Sequence, residues 1–283
     1  MALPPPLAKG GHGGVNSRDG RLAGGFDPLV SPLCKGGRGH CNQHRTPPGD
    51  PTMLDILLED NHCLAINKPA GLLSQGDETG EPSVVDLARD YLRVKYAKPG
   101  NVFVGLVHRL DRPTSGVILL ARTSKGADRL SAQFREGTVS KVYRAVVEGT
   151  PGEESGTWDD RLRKDESRNV VAVVSPDDPR GQDARVAYRV VARHGATTTV
   201  ELIPETGRSH QLRVQLASRG WPIVGDRKYG STSTLIALDG RPRVALHAWT
   251  LTFQHPTRPE SITLTAKPPG DWPGPWPLSI PRA

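Results

Sequence analysis

A break in composition at residue 53 decides how much of this 283-residue chain can fold. Residues 1–52 hold 11 of the 31 glycines and 8 of the 26 prolines. Glycine loses the most backbone entropy on folding and proline removes an amide donor, so such a segment does not propagate helix or sheet. We expect a disordered tail over residues 1–52 and a folded domain over residues 53–283. The alternative for the tail is an upstream extension of the coding sequence, with the native start at Met53.

Cysteine and histidine residues in the tail raise the question of a zinc site. Cys34, His40, Cys41 and His44 do not match the spacing of a C-x2-4-C pair with a distant H-x3-5-H. The rest of the chain has no phosphate-binding loop of the Walker type and no G-x-G-x-x-G after a strand. The sequence therefore predicts neither a metal site nor a cofactor.

The number of cysteines, the lengths of the apolar runs and the net charge limit the compartments and partners that suit this chain. Three cysteines do not support a disulfide framework, and no apolar run approaches the roughly 20 residues of a membrane span. A net charge of +7 and a pI near 9.5 favour a polyanionic partner. We expect a cytoplasmic protein that does not enter a membrane.

Short apolar runs separated by turn residues dominate the folded part. They predict strands at 56–58, 63–66, 117–120, 142–147, 170–174, 184–191, 197–203, 244–253 and 262–264. Helices are predicted after Ser83, after Ser124, and after a turn and cap at Gly207 and Ser209. Because hairpin-length connections are common, we expect an α+β fold with a mixed, largely antiparallel sheet flanked by helices.

Residues 107–116 carry the densest group of reactive side chains. Asp111 lies between Arg109 and Arg112, and Pro113 with Gly116 forces a turn into the strand that follows. Neighbouring cations favour the ionised carboxylate, which suits nucleophilic attack or base work and does not suit proton donation. The alternative is a structural cluster of ion pairs.

A second polar segment covers residues 206–215. Arg208, Gln211 and Arg213 gather donors around a predicted helix start, where a phosphate or carboxylate is favoured. By itself, this segment favours a solvated basic face over an anion site.

Strand alternation places Lys141 and Tyr143 on one face of the strand between these segments. Tyr143 can pack under a planar base or be an ordinary half-buried strand tyrosine. Lys68 stands in a turn at residues 67–72 and is a weak signal by itself.

Several motifs in a fixed order point to one family. Asn67-Lys68-Pro69-Ala70-Gly71-Leu72, His108-Arg109-Leu110-Asp111-Arg112 with Thr114-Ser115-Gly116, Lys141-Val142-Tyr143 and Gly207-Arg208-Ser209-His210-Gln211-Leu212-Arg213 follow one another, and Gly225-Asp226-Arg227-Lys228-Tyr229-Gly230 and Leu246-His247-Ala248 continue the series. Together they resemble the RluA family of RNA pseudouridine synthases, over about residues 53–273. One departure is Gln215, where a histidine is common, and we expect it to affect packing or RNA contact.

The resemblance implies roles for individual residues. Asp111 corresponds to the catalytic aspartate, Tyr143 to the tyrosine that packs against the uracil, and Arg213 to the arginine that pairs with the aspartate. Arg109 corresponds to the residue that supports the everted nucleotide. We add Arg112, Arg208, Gln211 and Lys68 as further contacts to the substrate.

The implied activity is isomerisation of specific uridines to pseudouridine in structured RNA, either ribosomal or transfer RNA, by a monomeric enzyme without cofactor. Two alternatives remain open. One is an RNA-binding module on the same fold without activity. The other is a nucleosidase, which would usually need a second acid near the sugar.

Overall fold

A computed structural model of the chain describes residues 54–237 and 240–274. The predicted tail and its cysteine and histidine residues lie outside these ranges. None of the helices in the described ranges combines the length and the apolar character that crossing a membrane requires.

Strands supply most of the regular structure, and eleven of them occur in the described residues. They are β1 (Ile56–Glu59), β2 (Cys63–Lys68), β3 (Gly105–Leu106), β4 (Ser115–Ala121), β5 (Ser140–Glu148), β6 (Ser155–Asp165), β7 (Val170–Val174), β8 (Gln182–His194), β9 (Thr197–Pro204), β10 (Leu246–Gln254) and β11 (Ser261–Thr265).

All of these strands belong to one sheet, in the order β1-β2-β4-β10-β5-β9-β8-β6-β7, with β11 paired to β10 and β3 to β4. β4 and β10 run parallel, and every other pairing among the described strands is antiparallel. The predicted α+β class with a mixed, largely antiparallel sheet is confirmed.

Three α-helices accompany the sheet in the described residues: α1 (Val84–Lys95), α2 (Ser124–Glu136) and α3 (Gln211–Ala217). Ser83 caps α1 as predicted and forms a capping box with Asp86. The cap predicted at Ser124 is wrong, because the Thr123 hydroxyl accepts the Gly126 amide hydrogen and α2 begins at Ser124 itself, one residue earlier than predicted. The cap predicted at Ser209 is also wrong.

The residue before α3 explains that second error. His210 adopts a left-handed backbone with φ of 52° and makes no side-chain cap. Left-handed backbone is unusual for a residue other than glycine, so histidine is not expected at the residue before a helix. The sequence therefore indicated the neighbouring serine, Ser209, as the cap. The helix nevertheless begins where its buried residues Leu212 and Leu216 require.

β4 is buried along its whole length, in all seven of its residues. Val117 and Leu119 pack in one apolar cluster with Leu130 of α2, whereas Ile118 and Leu120 pack in another with residues of α1. Because successive side chains of a strand point to opposite faces, a helix covers each face of β4. This explains its continuous apolar run.

β6 was not predicted from the sequence. Its residues are mainly polar or charged, and within it Leu162 is the buried apolar residue. β6 is held by backbone pairing to β8 on one side and β7 on the other. Apolar alternation therefore gave no signal for it.

Gly116 permits the parallel pairing of β4 with β10. Its φ is +117°, and a Cβ there would lie closer than 3.0 Å to the backbone of Ala248 on β10. Ala248 is its direct partner in the pairing register. A side chain would therefore force the two strands apart, directly beside the loop that carries Asp111.

We predict that Gly116→Ala lowers the free energy of unfolding by about 3 kcal/mol or more, because it adds a backbone collision to the cost of positive φ. Gly137→Ala is the matched control, since Gly137 also has a positive φ, of +73°, but faces open space. It should cost about 1 to 2 kcal/mol. Urea unfolding measures both, and equal losses would contradict the close approach.

Candidate active site

A pocket of about 570 Å³ opens beside the centre of the sheet. Its walls come from residues 107–111, the end of α2 and residues 204–208, and it also borders β5 and α3. The residues of the predicted site that line it are Arg109, Asp111, Tyr143, Arg208, Gln211 and Arg213. The volume falls within the range of pockets that hold small molecules, so one nucleotide is a suitable occupant.

The loop that carries Asp111 is fixed on both sides. The buried Ser74 hydroxyl donates to the Leu110 carbonyl at 2.7 Å and accepts the Leu110 amide hydrogen at 3.1 Å. The Thr114 amide donates to the Asp111 carbonyl at 3.0 Å, closing the turn through Pro113. An irregular loop held in this way can present a side chain as rigidly as a strand does.

The Asp111 carboxylate is in contact with Arg213. Nη1 of Arg213 donates to Oδ2 of Asp111 at 3.1 Å, and the Asp111 side chain keeps 21% of its surface exposed. The Arg213 side chain is buried, with 6% exposed. Burial opposes its charge, but bonds to Asp226 and the charges of Asp226 and Asp111 raise the pKa of Arg213 further above its ordinary value. A permanent cation therefore holds one oxygen of the carboxylate.

Tyr143 on β5 lines the same pocket and packs against two apolar clusters of the core. Burial raises the pKa of Tyr143, and the charge of Asp111 acts in the same direction. The phenol is therefore neutral at physiological pH. It offers a flat ring and a hydroxyl group beside the carboxylate.

Cationic side chains surround the pocket. Arg109 and Arg135 are exposed, and within the described residues neither forms a hydrogen bond or ion pair through its guanidinium. Arg208 is exposed and donates from Nε to the Asp183 carbonyl at 2.9 Å. Lys141 donates to the Thr206 carbonyl at 3.3 Å, and burial lowers the pKa of its ammonium. The pocket thus combines one held carboxylate with a basic rim.

Comparison with known proteins identifies the chain. Residues 62–218 match the family model described as RNA pseudouridylate synthase. The chain belongs to this family. Dual-specificity RNA pseudouridine synthase RluA of Pasteurella multocida is 40% identical over 233 residues, which cover 79% of the chain and 96% of that relative. The Haemophilus influenzae protein of the same name is 37% identical, with 78% and 95% covered.

Solved structures agree with the sequence comparison. The human RNA pseudouridylate synthase domain containing 4 protein superposes with a TM-score of 0.63 and 27% identity, covering 76% of the chain and 88% of that structure. The resemblance to the RluA family is confirmed, and the chain is an RNA pseudouridine synthase, an isomerase.

Lys68 of this pseudouridine synthase is not a substrate contact, which corrects the sequence prediction. Its side chain is fully buried, and Nζ donates to the carbonyls of Pro69, Leu72 and Arg112 at 3.0, 2.7 and 3.2 Å. Three acceptors occupy all three ammonium hydrogens. Lys68 therefore ties the turn after β2 to the residue that follows Asp111.

Arg112 does not line the pocket, and its guanidinium bonds to the protein. Nη2 pairs with the Glu81 carboxylate at 2.6 Å, and Nε donates to the Gly71 carbonyl at 3.1 Å. Within the described residues Arg213 is the cation in contact with the Asp111 carboxylate, and contact of Arg112 with the substrate stays a prediction.

Gln211 lines the pocket, yet its carboxamide is committed to the protein. Oε1 accepts from the Thr206 hydroxyl at 2.8 Å and the Arg208 amide at 3.0 Å, and Nε2 donates to the Arg185 carbonyl at 3.1 Å. These bonds support the pocket wall at residues 204–208, and contact of Gln211 with the substrate stays a prediction.

Gln215, which the sequence comparison of motifs singled out as a departure, is fully buried. Its Nε2 donates to Oδ2 of Asp160 at 2.7 Å and to the Ala184 carbonyl at 3.2 Å. Within the described residues it contributes to packing and does not line the pocket.

Two functional neighbours were missed at the level of sequence. Asp226 binds Arg213 through both carboxylate oxygens, and the Tyr229 ring lies 5.1 Å from the Arg213 guanidinium carbon. Both belong to the motif at residues 225–230, to which no role was given. The acid in that motif was the available signal, but its partner could not be inferred from spacing.

One group of potential metal ligands exists in the described residues: Asp60, Cys63 and His255. Nδ1 of His255 accepts the amide hydrogens of Thr257 and Arg258 at 3.2 and 3.0 Å, so Nε2 carries the proton that it donates to Asp60. Burial raises the pKa of Cys63 to about 12, so its thiol stays protonated. The group therefore acts as a structural cluster at the β1–β2 turn.

The pocket wall contains a histidine that stays neutral. Nε2 of His108 accepts the Leu119 amide hydrogen at 2.9 Å, and the ring stacks on Phe134 at 4.4 Å. Burial lowers the pKa of His108 to about 3, and the charge of Lys141 acts in the same direction. In the unfolded chain the pKa is near 6.5.

We predict that His108 makes the fold acid-sensitive. Because the unfolded state takes the proton first, its contribution to stability is complete above about pH 6.5 and is lost as pH falls toward 3. Between pH 7 and pH 5 the loss should be about 2 kcal/mol. His108→Gln keeps an acceptor for Leu119 but does not titrate, so urea unfolding should show that much less pH dependence. The same dependence in both proteins would refute this.

Proposed function

We propose that this pseudouridine synthase acts through Asp111 on a uridine everted from structured RNA into the pocket. The observation that carries the proposal is the Asp111 carboxylate, held 3.1 Å from Arg213 in a pocket that Tyr143 also lines. A base must leave its stack to reach such a pocket, at a cost of a few kcal/mol.

The reaction itself is an isomerisation without change of oxidation state. The bond from uracil N1 to ribose C1′ breaks, C5 bonds to C1′, the proton on C5 leaves, and N1 takes up a proton. Asp111 can attack C1′, add to the uracil ring, or remove a ribose proton in an elimination. All three routes need an ionised carboxylate beside the glycosidic bond, and the Arg213 guanidinium contacts that carboxylate.

Tyr143 provides the surface on which the uracil is held after it detaches. Its ring offers stacking area, and its high pKa keeps the hydroxyl protonated as a hydrogen-bond donor. A detached uracil has to rotate before C5 faces C1′. A flat apolar wall permits that rotation while limiting escape.

RNA binding is assigned to the basic rim. Arg109, Arg135 and Arg208 are exposed around the pocket and can bind phosphates next to the everted nucleotide. Arg109 adjoins the catalytic loop and is the residue suited to support the RNA where the base has left.

For the substrate we propose ribosomal or transfer RNA. A relative from Vibrio cholerae, 34% identical over 213 residues, is named ribosomal large subunit pseudouridine synthase C. This name supports a ribosomal substrate. We further propose that residues 53–283 form a single catalytic domain, acting as a monomer in the cytoplasm.

The two alternative functions predict different outcomes when the protein is incubated with RNA. A nucleosidase would usually need a second acid, and the other acid lining the pocket, Glu205, pairs with Arg185 at 3.3 Å. A binding module without activity would leave Asp111 idle. Total RNA from cells lacking this protein, incubated with it and digested to nucleosides, should gain pseudouridine. Unchanged uridine would favour the binding module, and free uracil the nucleosidase.

We predict that Asp111→Asn lowers the rate of pseudouridine formation by about a thousandfold or more, because the amide is neither nucleophile nor base. RNA affinity should stay within about tenfold, or roughly 1.4 kcal/mol. Asp159→Asn makes the same chemical change at an exposed position on β6 and should leave the rate unchanged. Normal turnover by Asp111→Asn would remove this carboxylate from the mechanism.

We predict that Arg135→Gln weakens RNA binding in a salt-dependent way. Loss of one phosphate contact should reduce the slope of log affinity against log salt concentration by about 1. Arg93→Gln is the control, because Arg93 is an exposed arginine on α1 that does not line the pocket. Titrations at several salt concentrations measure both slopes, and an unchanged slope for Arg135→Gln would exclude Arg135 from the interface.

A further inference from the structure

The pocket extends beyond the residues that surround Asp111. Tyr143 and Lys141 lie on the same face of β5 two residues apart, which separates their Cα atoms by about 7 Å. This is about twice the 3.4 Å spacing of stacked bases along one nucleic-acid strand. Past Lys141 the pocket continues to its α2 end, which Phe134 and Arg135 line. A uracil stacked on Tyr143 therefore occupies one part of the pocket and leaves the α2 end to another group.

An aromatic wall lies at the α2 end. The half-buried Phe134 ring stacks on His108, with 4.4 Å between the ring centroids and 18° between the planes, and both residues line the pocket. The pair is fixed, because Phe134 packs against the apolar cluster under α2 and the His108 ring accepts the Leu119 amide hydrogen at 2.9 Å. A fixed aromatic surface of this kind binds an unstacked nucleobase, because every base has a flat face.

Lys141 brings an ammonium group to the same end of the pocket. Its Nζ donates to the Thr206 carbonyl at 3.3 Å, and a Cβ at Gly207 would lie 4.0 Å from that nitrogen. Because its charge also lowers the pKa of His108, the ammonium is near the aromatic wall as well. Within the described residues Nζ has a single hydrogen-bond partner, so two of its three hydrogens remain for a ligand. A flat ring and a donor together match the face and the polar edge of a base.

We propose that the α2 end of the pocket is a second base-binding subsite, in which a nucleotide adjacent to the target uridine stacks on Phe134 and accepts a hydrogen bond from Lys141. The inference rests on the function proposed above and deepens it, because it assigns a place to a second nucleotide of the same RNA. Arg109 and Arg135 are exposed beside the subsite and suit the phosphates that join the two nucleotides. The enzyme thus recognises two unstacked bases.

Matched variants and matched RNAs test the subsite. The RNA is a stem-loop that contains a uridine located by pseudouridine mapping. It is made intact, with an abasic ribose directly 5′ of that uridine, and with an abasic ribose directly 3′ of it. Phe134→Leu keeps apolar bulk under α2 and removes the ring. Phe103→Leu is the control, because Phe103 is 49% exposed and does not line the pocket.

Affinity is measured for each protein with each RNA, and thermal unfolding is measured for each protein. Phe134→Leu should weaken binding of the intact RNA about 5- to 100-fold, the range expected for the loss of one base–aromatic stack. One abasic RNA should bind the wild type more weakly by a similar factor, and Phe134→Leu should bind that RNA as the wild type does. Phe103→Leu should match the wild type throughout. Equal losses for Phe134→Leu on all three RNAs, or no loss on the intact RNA, would overturn the inference.

Lys141→Met provides a second test, which leaves the apolar cluster under α2 unchanged. Methionine keeps most of the length of the side chain and removes the ammonium group. Binding of the intact RNA should weaken, whereas binding of the abasic RNA that Phe134→Leu does not discriminate should stay as in the wild type. The same loss on both RNAs would assign Lys141 to a phosphate and contradict its contact with a base.

Cross-linking of the wild type keeps the result decisive if Phe134→Leu does not fold. An RNA with 5-iodouridine next to the target uridine should, on irradiation, form a cross-link to Phe134, which mass spectrometry of the digested protein locates. Cross-links only to other residues would overturn the inference. A wild type that forms no pseudouridine in any RNA would contradict the proposed function, whereas pseudouridine formation together with unchanged RNA binding by Phe134→Leu would contradict this inference alone.

Discussion

The guanidinium of Arg213 connects three segments that are distant in the sequence. It belongs to α3, binds Asp111 on the loop before β4, and binds Asp226 in the motif at residues 225–230. Burying such charges is costly unless the geometry is good and each group finds a partner. Here the fork and the facing ring of Tyr229 provide that geometry. Because the buried charges are costly without their partners, these contacts restrict where Asp111 can lie.

The sheet supplies the second constraint on Asp111. β4 is covered by α1 on one face and α2 on the other, and it meets β10 in the parallel pairing that Gly116 permits. Lys68 then ties the loop after β2 to the carbonyl that follows Asp111. An aspartate on an irregular loop therefore has the positional precision of the core. The basic rim lies on more exposed side chains, which suits contacts that must adapt to RNA.

The apolar pattern of the sequence predicted much of the fold, and the order of its motifs predicted the residues at the centre of the site. Buried strands such as β4 were visible as apolar runs, whereas β6 was not, because its polar residues are held by backbone pairing on both sides. Asp111, Tyr143 and Arg213 were found through ordered motifs, and the structure brings them to one pocket.

Three of the residues predicted to contact the substrate bond to the protein itself, for one physical reason. Lys68, Arg112 and Gln211 are polar residues within motifs, and sequence does not distinguish a donor aimed at substrate from one aimed at a backbone carbonyl. That distinction depends on tertiary contacts, such as the three carbonyls around Lys68. The same limit hid Asp226, whose partner is decided by how α3 packs beside the turn at 225–230.

The most direct test is a structure of Asp111→Asn bound to an RNA in which pseudouridine mapping has located the target uridine. The account predicts that this uridine is everted into the pocket, with its uracil against Tyr143 and its glycosidic bond within about 4 Å of residue 111. A target uridine that remains stacked in the RNA, or that binds away from Tyr143 and residue 111, would contradict the account.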